Sequence, residues 1–243
     1  MDIELTHVPA KGDYARYHCR SHPKSNLNGW GRIAGGSFVY GCWACDTKTS
    51  VKLEDVAKLK VLPRQPKNNH YWLSEWTEAA PCQRHQYLDV KQLEADKSFR
   101  VSSKGVLLIP IYKGAKLDGL QRITKTGDKR MTKGVSFSQG IPACWTTYKG
   151  DRSRPVLVEG VADALAVQQA TGLRGIACLF ASNMPRVAEL YPEAMILADP
   201  DDVGQRYAIE ARNKVSGKLI MPELDAADLF RHSGPKKLRE LLL

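Results

Sequence analysis

Two apolar runs in this chain end in clustered acids. Val156-Leu157-Val158 leads into Glu159-Gly160, with Asp163 four residues beyond Glu159. Met195-Ile196-Leu197-Ala198 leads into Asp199, Asp201, Asp202 and Gly204. Short continuous apolar runs read as buried strands of a parallel sheet, and open α/β sheets bind ligands outside the carboxyl ends of their strands. Acids meeting at that edge repel one another unless a divalent cation holds them, so the pattern predicts Mg²⁺. Paired cations can clamp the attacking and leaving oxygens of a phosphoryl transfer. Acids also cap helix N-termini, where the dipole favours them. Capping suits Asp163 or Asp202, but it does not explain acids that directly follow buried strands. Downstream, Leu224-Asp225-Ala226-Ala227-Asp228-Leu229 offers either a further acid or the start of a helix.

A second constellation lies near the N-terminus. Cys19-Arg20-Ser21-His22 and Cys42-Trp43-Ala44-Cys45 are two ligand pairs with two residues inside each. That spacing lets tight turns present Cys19, His22, Cys42 and Cys45 to one tetrahedral ion. Four protein ligands leave no open position, so the expectation is a structural zinc. Trp30, Phe38, Tyr40 and Trp43 lie in or beside the pairs, with Arg16, Arg20, Lys24 and Arg32 nearby. Aromatic rings with neighbouring cations grip single-stranded nucleic acid, and Trp43 is the candidate for that contact. Cys82-Gln83-Arg84-His85 repeats the spacing without a partner pair, and is expected to be non-metallic.

Charge points to a polyanion partner. The 243-residue chain carries a net charge of +10, and the stretch from Arg100 to Lys149 holds ten cations against Asp118 and Asp128. Clustering of this kind is an electrostatic footprint for nucleic acid. Its candidate contact residues are Arg122, Lys125, Lys129, Arg130 and Lys133. No apolar run approaches the ~20 residues of a membrane span, and Met1-Asp2-Ile3-Glu4 does not open a signal peptide. Six cysteines, four of them at metal spacing, suit a reducing, cytoplasmic setting rather than a secreted disulfide scaffold.

Three segments must position these groups. Residues 1–52 are rich in Gly, aromatics and Cys/His. Residues 53–150 begin helical, with helices expected around Trp72–Ala79 and Gln83–Lys91 after a Pro-bearing stretch at Leu62–Lys67. They then turn to strands: Val106–Tyr112 and Leu117–Ile123 read as a hairpin about Lys113–Lys116. Residues 151–243 alternate regularly. Strands are expected at 156–159, 175–180, 194–199 and 218–221. Helices are expected at 162–171, near 185–190, at 203–216 and finally from Gly234-Pro235, with Gly172 and Gly217 as stops. Such alternation means right-handed βαβ units and a parallel sheet. The fold class is therefore a multidomain α/β and α+β chain: a zinc ribbon, a basic mixed subdomain and a parallel-sheet domain.

Glu159-Gly160 with Asp163, then Asp199-x-Asp201-x-x-Gly204, resembles the Toprim signature of DnaG-type primases, topoisomerases, some nucleases and RecR. Cys19-x-x-His22-Pro23 with Cys42-Trp43-x-Cys45 resembles the CHC2-type zinc module of bacterial and phage primases. Leu108–Tyr112 through Gly119–Ile123 to Lys129-Arg130-Met131 is similar to the basic subdomain that precedes Toprim in phage primase–helicases. The chain departs from the family's later acidic motif, with Leu224 and Ala227 where Lys and Asn often stand.

The resemblance implies a primase making short RNA primers on single-stranded DNA in phage-type replication. Glu159, Asp199 and Asp201 would hold Mg²⁺ (or Mn²⁺), with Asp163 assisting. Arg122, Lys125, Lys129, Arg130 and Lys133 would hold ribonucleoside triphosphates or template. The implied location is the cytoplasm, that of the bacterial host if the chain is phage-encoded. No G-x-x-x-x-G-K-[ST] occurs, so a separate replicative helicase is the expected partner. Two other readings use the same motifs. One is a RecR-like recombination mediator, disfavoured by the hundred-odd residues between zinc and Toprim segments; the other is a Toprim nuclease, which has no need of the zinc hairpin.

Overall fold

The structure, a computed structural model, describes residues 3–5, 7–22, 27–59, 71–132, 135 and 140–243, with Lys58 and Tyr71 by backbone alone. It divides into two compact units, Met1–Lys67 and Asn68–Leu243.

The first unit is an antiparallel sheet of β1 (Ile3–Glu4), β2 (Tyr14–Cys19), β3 (Gly29–Ala34), β4 (Ser37–Cys42) and β5 (Thr47–Lys52), paired in sequence order. A 3₁₀ turn at Leu53–Lys58 follows. Leu5, Ala15, Tyr17 and Phe38 make its buried core. Gly31 is required by that packing, since a Cβ there would lie 2.7 Å from the Tyr17 ring and 2.8 Å from that of Phe38.

The second unit begins with α1 (Tyr71–Glu78), β6 (Ala80–Pro81), α2 (Gln86–Val90) and β7 (Arg100–Val101). The expected helix at Gln83–Lys91 is shorter than its sequence suggested. His85 holds extended backbone as its N-cap, and the His85 Nδ1 accepts from the Tyr87 N–H at 3.2 Å. Next come β8 (Leu107–Lys113), β9 (Lys116–Ile123), β10 (Lys129–Met131) and β11 (Ala143–Thr146). The hairpin of β8 and β9 turns at Gly114, which takes φ +58°, and carries a register shift at Ile111/Tyr112.

From Asp151 the chain alternates: β12 (Asp151–Val158), α3 (Val161–Thr171), β13 (Leu173–Ala177), α4 (Met184–Ala188), β14 (Met195–Leu197), α5 (Asp202–Arg212), β15 (Leu219–Ile220) and α6 (Ala226–Leu242). Gly172 ends α3 in the left-handed conformation the sequence implied, and Gly234 kinks α6 ahead of Pro235. One stop is misplaced: α5 ends at Arg212, and Gly217 serves close packing instead. A Cβ on Gly217 would lie 2.0 Å from the Ala194 carbonyl oxygen.

All these strands join one sheet, ordered β10-β9-β8-β11-β13-β12-β14-β15, with β7 pairing β8 and β6 pairing β7. β12 runs parallel to both β13 and β14, and β14 parallel to β15, while β11 pairs antiparallel with β8 and β13. Strand β11 thus bridges the two sides of the expected 150/151 division into one continuous sheet. Period-two alternation sends Val156, Val158, Met195 and Leu197 to the face covered by α3 and α6. Leu157, Ile176, Ile196 and Ala198 pack with residues of α4 and α5 on the other.

Candidate carboxylate centre and metal knuckle

The sheet order places the acids. After β12 the chain crosses to β13 on one side; after β14 it crosses to β15 on the other. The connections therefore diverge between adjacent strands β12 and β14, the switch point at which open α/β sheets leave a crevice. Glu159 follows the end of β12 and Asp199 lies two residues past the end of β14.

Close backbone approach fixes the glycines of both motifs. A Cβ on Gly160 would lie 2.3 Å from the Asp163 Oδ2, and one on Gly204 would lie 2.8 Å from the Asp199 Cβ. Asp201, not Asp202, caps α5, its Oδ1 accepting from the Gly204 N–H at 2.6 Å. Asp225 caps α6, accepting from Asp228 N–H at 2.7 Å. Asp163 is buried on the first turn of α3, and its Oδ1 accepts from the Ala227 N–H at 2.9 Å. It thereby ties the start of α6 to the start of α3, so Asp225 joins the cluster and opens a helix at once.

The acids share one electrostatic neighbourhood. Asp199 is pushed up to about 8 by burial and by the charges of Asp163, Glu159, Asp225 and Asp201. Glu159 is raised by burial and by Asp201 and Asp163, with Lys129 acting in the opposite direction. Asp163 is raised by burial and by Asp225, and drawn back by its Ala227 hydrogen bond and by Lys129 and Lys91. Among the described residues, no three of these carboxylates bring one oxygen each within 4.8 Å of one another. An all-oxygen set of this looser kind fits Mg²⁺, which takes one or two protein carboxylates and keeps waters and substrate phosphates as its other ligands.

The predicted cations do not form one group. Lys129 and Met131 pair with Ile123 and Gln121, while Arg130 pairs with Arg122. Ile123 packs in the core shared with α3, whereas Leu120, two residues before Arg122, packs with Trp72 of α1. Lys129 accordingly faces the acids, and Arg122 and Arg130 face the opposite side of the sheet. Arg122 donates to Glu75 of α1 through Nε at 2.8 Å and to Thr132 at 3.2 Å. Lys125 is exposed in the turn beside Gly105. Lys133 lies outside the described residues. Lys91 was missed by sequence reasoning; at the end of a short helix, it shows its role only through its 3.8 Å ion pair to Asp228 and its field at Asp163.

In the first unit, Cys19 ends β2 and Cys42 ends β4, each followed by a tight turn carrying His22 or Cys45. The four ligand atoms all lie within 4.8 Å of one another. Cys19 Sγ and Cys45 Sγ are 3.7 Å apart, and His22 Nε2 is 3.1 Å from Cys45 Sγ. Tetrahedral ligands at the zinc–thiolate bond length stand about 3.8 Å apart, so the quartet fits that ion. Cys45 is pushed up to about 11 by the neighbouring Cys19 and Cys42 thiols, a crowding that a bound cation relieves.

Beside the knuckle, Trp43 is 51% exposed and stacks on Tyr14 at 6.0 Å and on Trp30 at 6.1 Å, with the Arg16 guanidinium 4.5 Å from its ring centroid. Tyr14 went unnoticed in the sequence because register, not proximity along the chain, brings it there. Phe38 is core. Cys82 is buried, and His85 Nε2 meets the Gly105 carbonyl at 3.2 Å.

Residues 154–236 match the Toprim domain model. No curated protein matches the chain. Among solved structures, the primase fragment of the bacteriophage T7 primase-helicase aligns with a TM-score of 0.56 at 15% identity, covering 87% of this chain and 95% of that one. The zinc-binding and RNA polymerase domains of the Aquifex aeolicus primase align with a TM-score of 0.49 at 12% identity, covering 99% and 80%. Among the described residues, no helix is long and apolar enough to cross a membrane. The acidic crevice therefore lies within residues 154–236, the segment that matches the Toprim domain model, on a fold similar to that of the T7 primase fragment.

Proposed function

We propose that the chain is a DNA primase that joins ribonucleotides into short RNA primers on single-stranded DNA. The observation that carries this reading is the crowding of Glu159, Asp163, Asp199, Asp201 and Asp225 at the β12/β14 switch point, with Lys129 opposite them. Crowded acids that hold Asp199 at about 8 are a site waiting for positive charge. Glu159, Asp199 and Asp201 would hold Mg²⁺ or Mn²⁺, which supplies a lowered nucleophile pKa and neutralises charge developing on phosphate. Asp163 keeps the starts of α3 and α6 together and so maintains the crevice. Lys129 would meet triphosphate oxygens from the sheet side. Cys19, His22, Cys42 and Cys45 would hold structural zinc, fixing the turn that displays Trp43. The stack of Tyr14, Trp43 and Trp30 with Arg16 is suited to unpaired bases of a template. Arg122 and Arg130, on the far face, would act on template rather than on the reacting nucleotide. The setting is the cytoplasm, with a replicative helicase as a separate partner.

The test supplies single-stranded DNA of varied sequence, labelled ribonucleotides and Mg²⁺ to the wild type and to Asp199→Ala, with and without a helicase. Short RNA from the wild type alone is the expected result. Equal product from both proteins removes the acids from the mechanism, and loss of a nucleic-acid substrate without synthesis identifies a nuclease instead.

A further inference from the structure

Tyr148 is the most exposed aromatic ring among the described residues, at 62%, and its backbone is held in place on every side. It sits in the turn that joins β11 to β12. Thr147, fully buried, donates from its N–H to the Gly175 carbonyl at 2.9 Å and from its hydroxyl to the Lys149 carbonyl at 2.7 Å. The Tyr148 N–H donates to Asp96 Oδ2 at 2.8 Å, and Arg174 Nη2 donates to the Tyr148 carbonyl at 3.3 Å. Gly150, at φ +121°, lies against the start of β13, where a Cβ would stand 2.7 Å from the Arg174 nitrogen. These ties fix an aromatic ring in water, although burying it would have stabilised the fold.

Cations surround the ring without partners. Lys97 Nζ lies 6.0 Å from the ring centroid, and Lys149 follows Tyr148 in the turn. Arg152 and Arg174 stand at the amino ends of β12 and β13, next to the paired Asp151 and Leu173. Arg154 lies two residues further along β12. Lys97, Lys149, Arg152 and Arg154 are exposed, and none of the five makes an ion pair among the described residues. Arg174 Nε is buried with no hydrogen-bond partner among the described residues, and burial and the Arg152 charge draw this guanidinium below its ordinary value. The neighbouring acids are already engaged, Asp96 by the Ser98 and Tyr148 N–H groups and Asp151 by the Ser153 N–H. Tyr148, Lys97 and Lys149 also line a cleft of about 840 Å³ together with Arg239 and Glu94. Six cations thus stand against three acids.

We propose that Tyr148 and these cations form a second contact for single-stranded nucleic acid, at the sheet edge opposite the carboxylate centre. Glu159 follows the carboxyl end of β12 and Arg152 stands near its amino end, so about 20 Å of strand separate the two sites. An exposed ring offers a face on which any base stacks, while cations on either side hold the phosphates. Arg152 and Arg174, left beside each other without counter-charge, gain from a partner that brings a phosphate to each. The ring favours nucleic acid over an acidic protein segment, whose carboxylates would use the cations alone. The contact needs no chemistry at the acids and stands whether or not they make RNA. Template DNA and product RNA share the recognised groups, and the test separates them.

Fluorescence anisotropy of labelled oligothymidylate (DNA) and oligouridylate (RNA), each in a short and a long form, measures binding in chelator across a salt series. The proteins are wild type, Tyr148→Leu, Tyr148→Trp and the double variant Lys149→Ala/Arg152→Ala, all of which keep the backbone bonds of the turn. Tyr148→Leu is expected to weaken binding of the long strand about fivefold or more. Tyr148→Trp should keep it, with the new indole's emission quenched by the bound base. The double variant should make the slope of log affinity against log salt shallower by about 1.4, or about 0.7 per cation removed. A loss confined to oligothymidylate assigns the surface to template, one confined to oligouridylate assigns it to product, and an equal loss assigns it to both. Wild-type affinity in Tyr148→Leu overturns the proposal even where the double variant binds more weakly, because charge without stacking is a diffuse field. Unchanged nucleic-acid binding, with polyglutamate binding that these variants weaken, assigns the surface to an acidic protein and overturns it too.

Discussion

Replacing Asp199 by Asn should stabilise the metal-free protein, and the gain should depend on pH in a defined direction. Asp199 is held at about 8 in the folded chain against an ordinary value of 3.8. An acid raised on folding adds nothing unfavourable below its unfolded pKa. Its penalty grows as pH rises from about 4 and levels off above about 8. At pH 7 the full separation corresponds to a ceiling of about 4 kcal/mol. Asp199 is only partly buried and shares its repulsion with four other acids, so solvent screening and relaxation bring the expected gain to about 2 kcal/mol. Chemical denaturation of wild type and Asp199→Asn in chelator, at pH 4.5 and pH 8, measures it. The two proteins should be close at the lower pH, with Asn more stable at the higher. Saturating Mg²⁺ should reverse the order, because ligand binding to the folded state adds stability only where the site is intact. An Asn variant no more stable than wild type at pH 8, with the same Mg²⁺ response, would refute the claim that these acids crowd one cation site.

Four further outcomes are expected. Gly160→Ala drives a Cβ to 2.3 Å from the Asp163 Oδ2, so this carboxylate must shift; it should cost about 1–3 kcal/mol in thermal or denaturant unfolding and lower primer synthesis, since the same carboxylate holds the Ala227 N–H through Oδ1. Stripping metal from the first unit with a strong chelator should expose it to limited proteolysis while Asn68–Leu243 stays resistant, because its core among the described residues is small, formed by Leu5, Ala15, Tyr17 and Phe38. Lys129→Ala should lower primer synthesis at saturating template. Arg130→Ala should weaken binding of single-stranded DNA, with its affinity falling less steeply with salt than that of the wild type, because the two side chains face opposite sides of the sheet.

Some of this was legible in the residues, for local reasons. Apolar runs of three or four residues ending in acids mark strand ends whatever surrounds them, and β12 and β14 end next to Glu159 and Asp199. Left-handed Gly172 ends α3 because a residue without Cβ takes that conformation at least cost. Cys and His pairs at knuckle spacing need only two tight turns to converge. Composition also showed that a polyanion was the expected partner, since ten cations lie in one stretch.

Tertiary structure decided the rest, because it depends on which strand pairs with which and in what register. Pairing of Arg130 with Arg122 sends those side chains away from the acids and leaves Lys129 facing them, a separation that a count of charges does not carry. The reach of Asp163 to the Ala227 N–H, 64 residues away, makes Asp225 part of the crevice. Local spacing likewise left open which acid caps α5 until backbone geometry assigned Asp201.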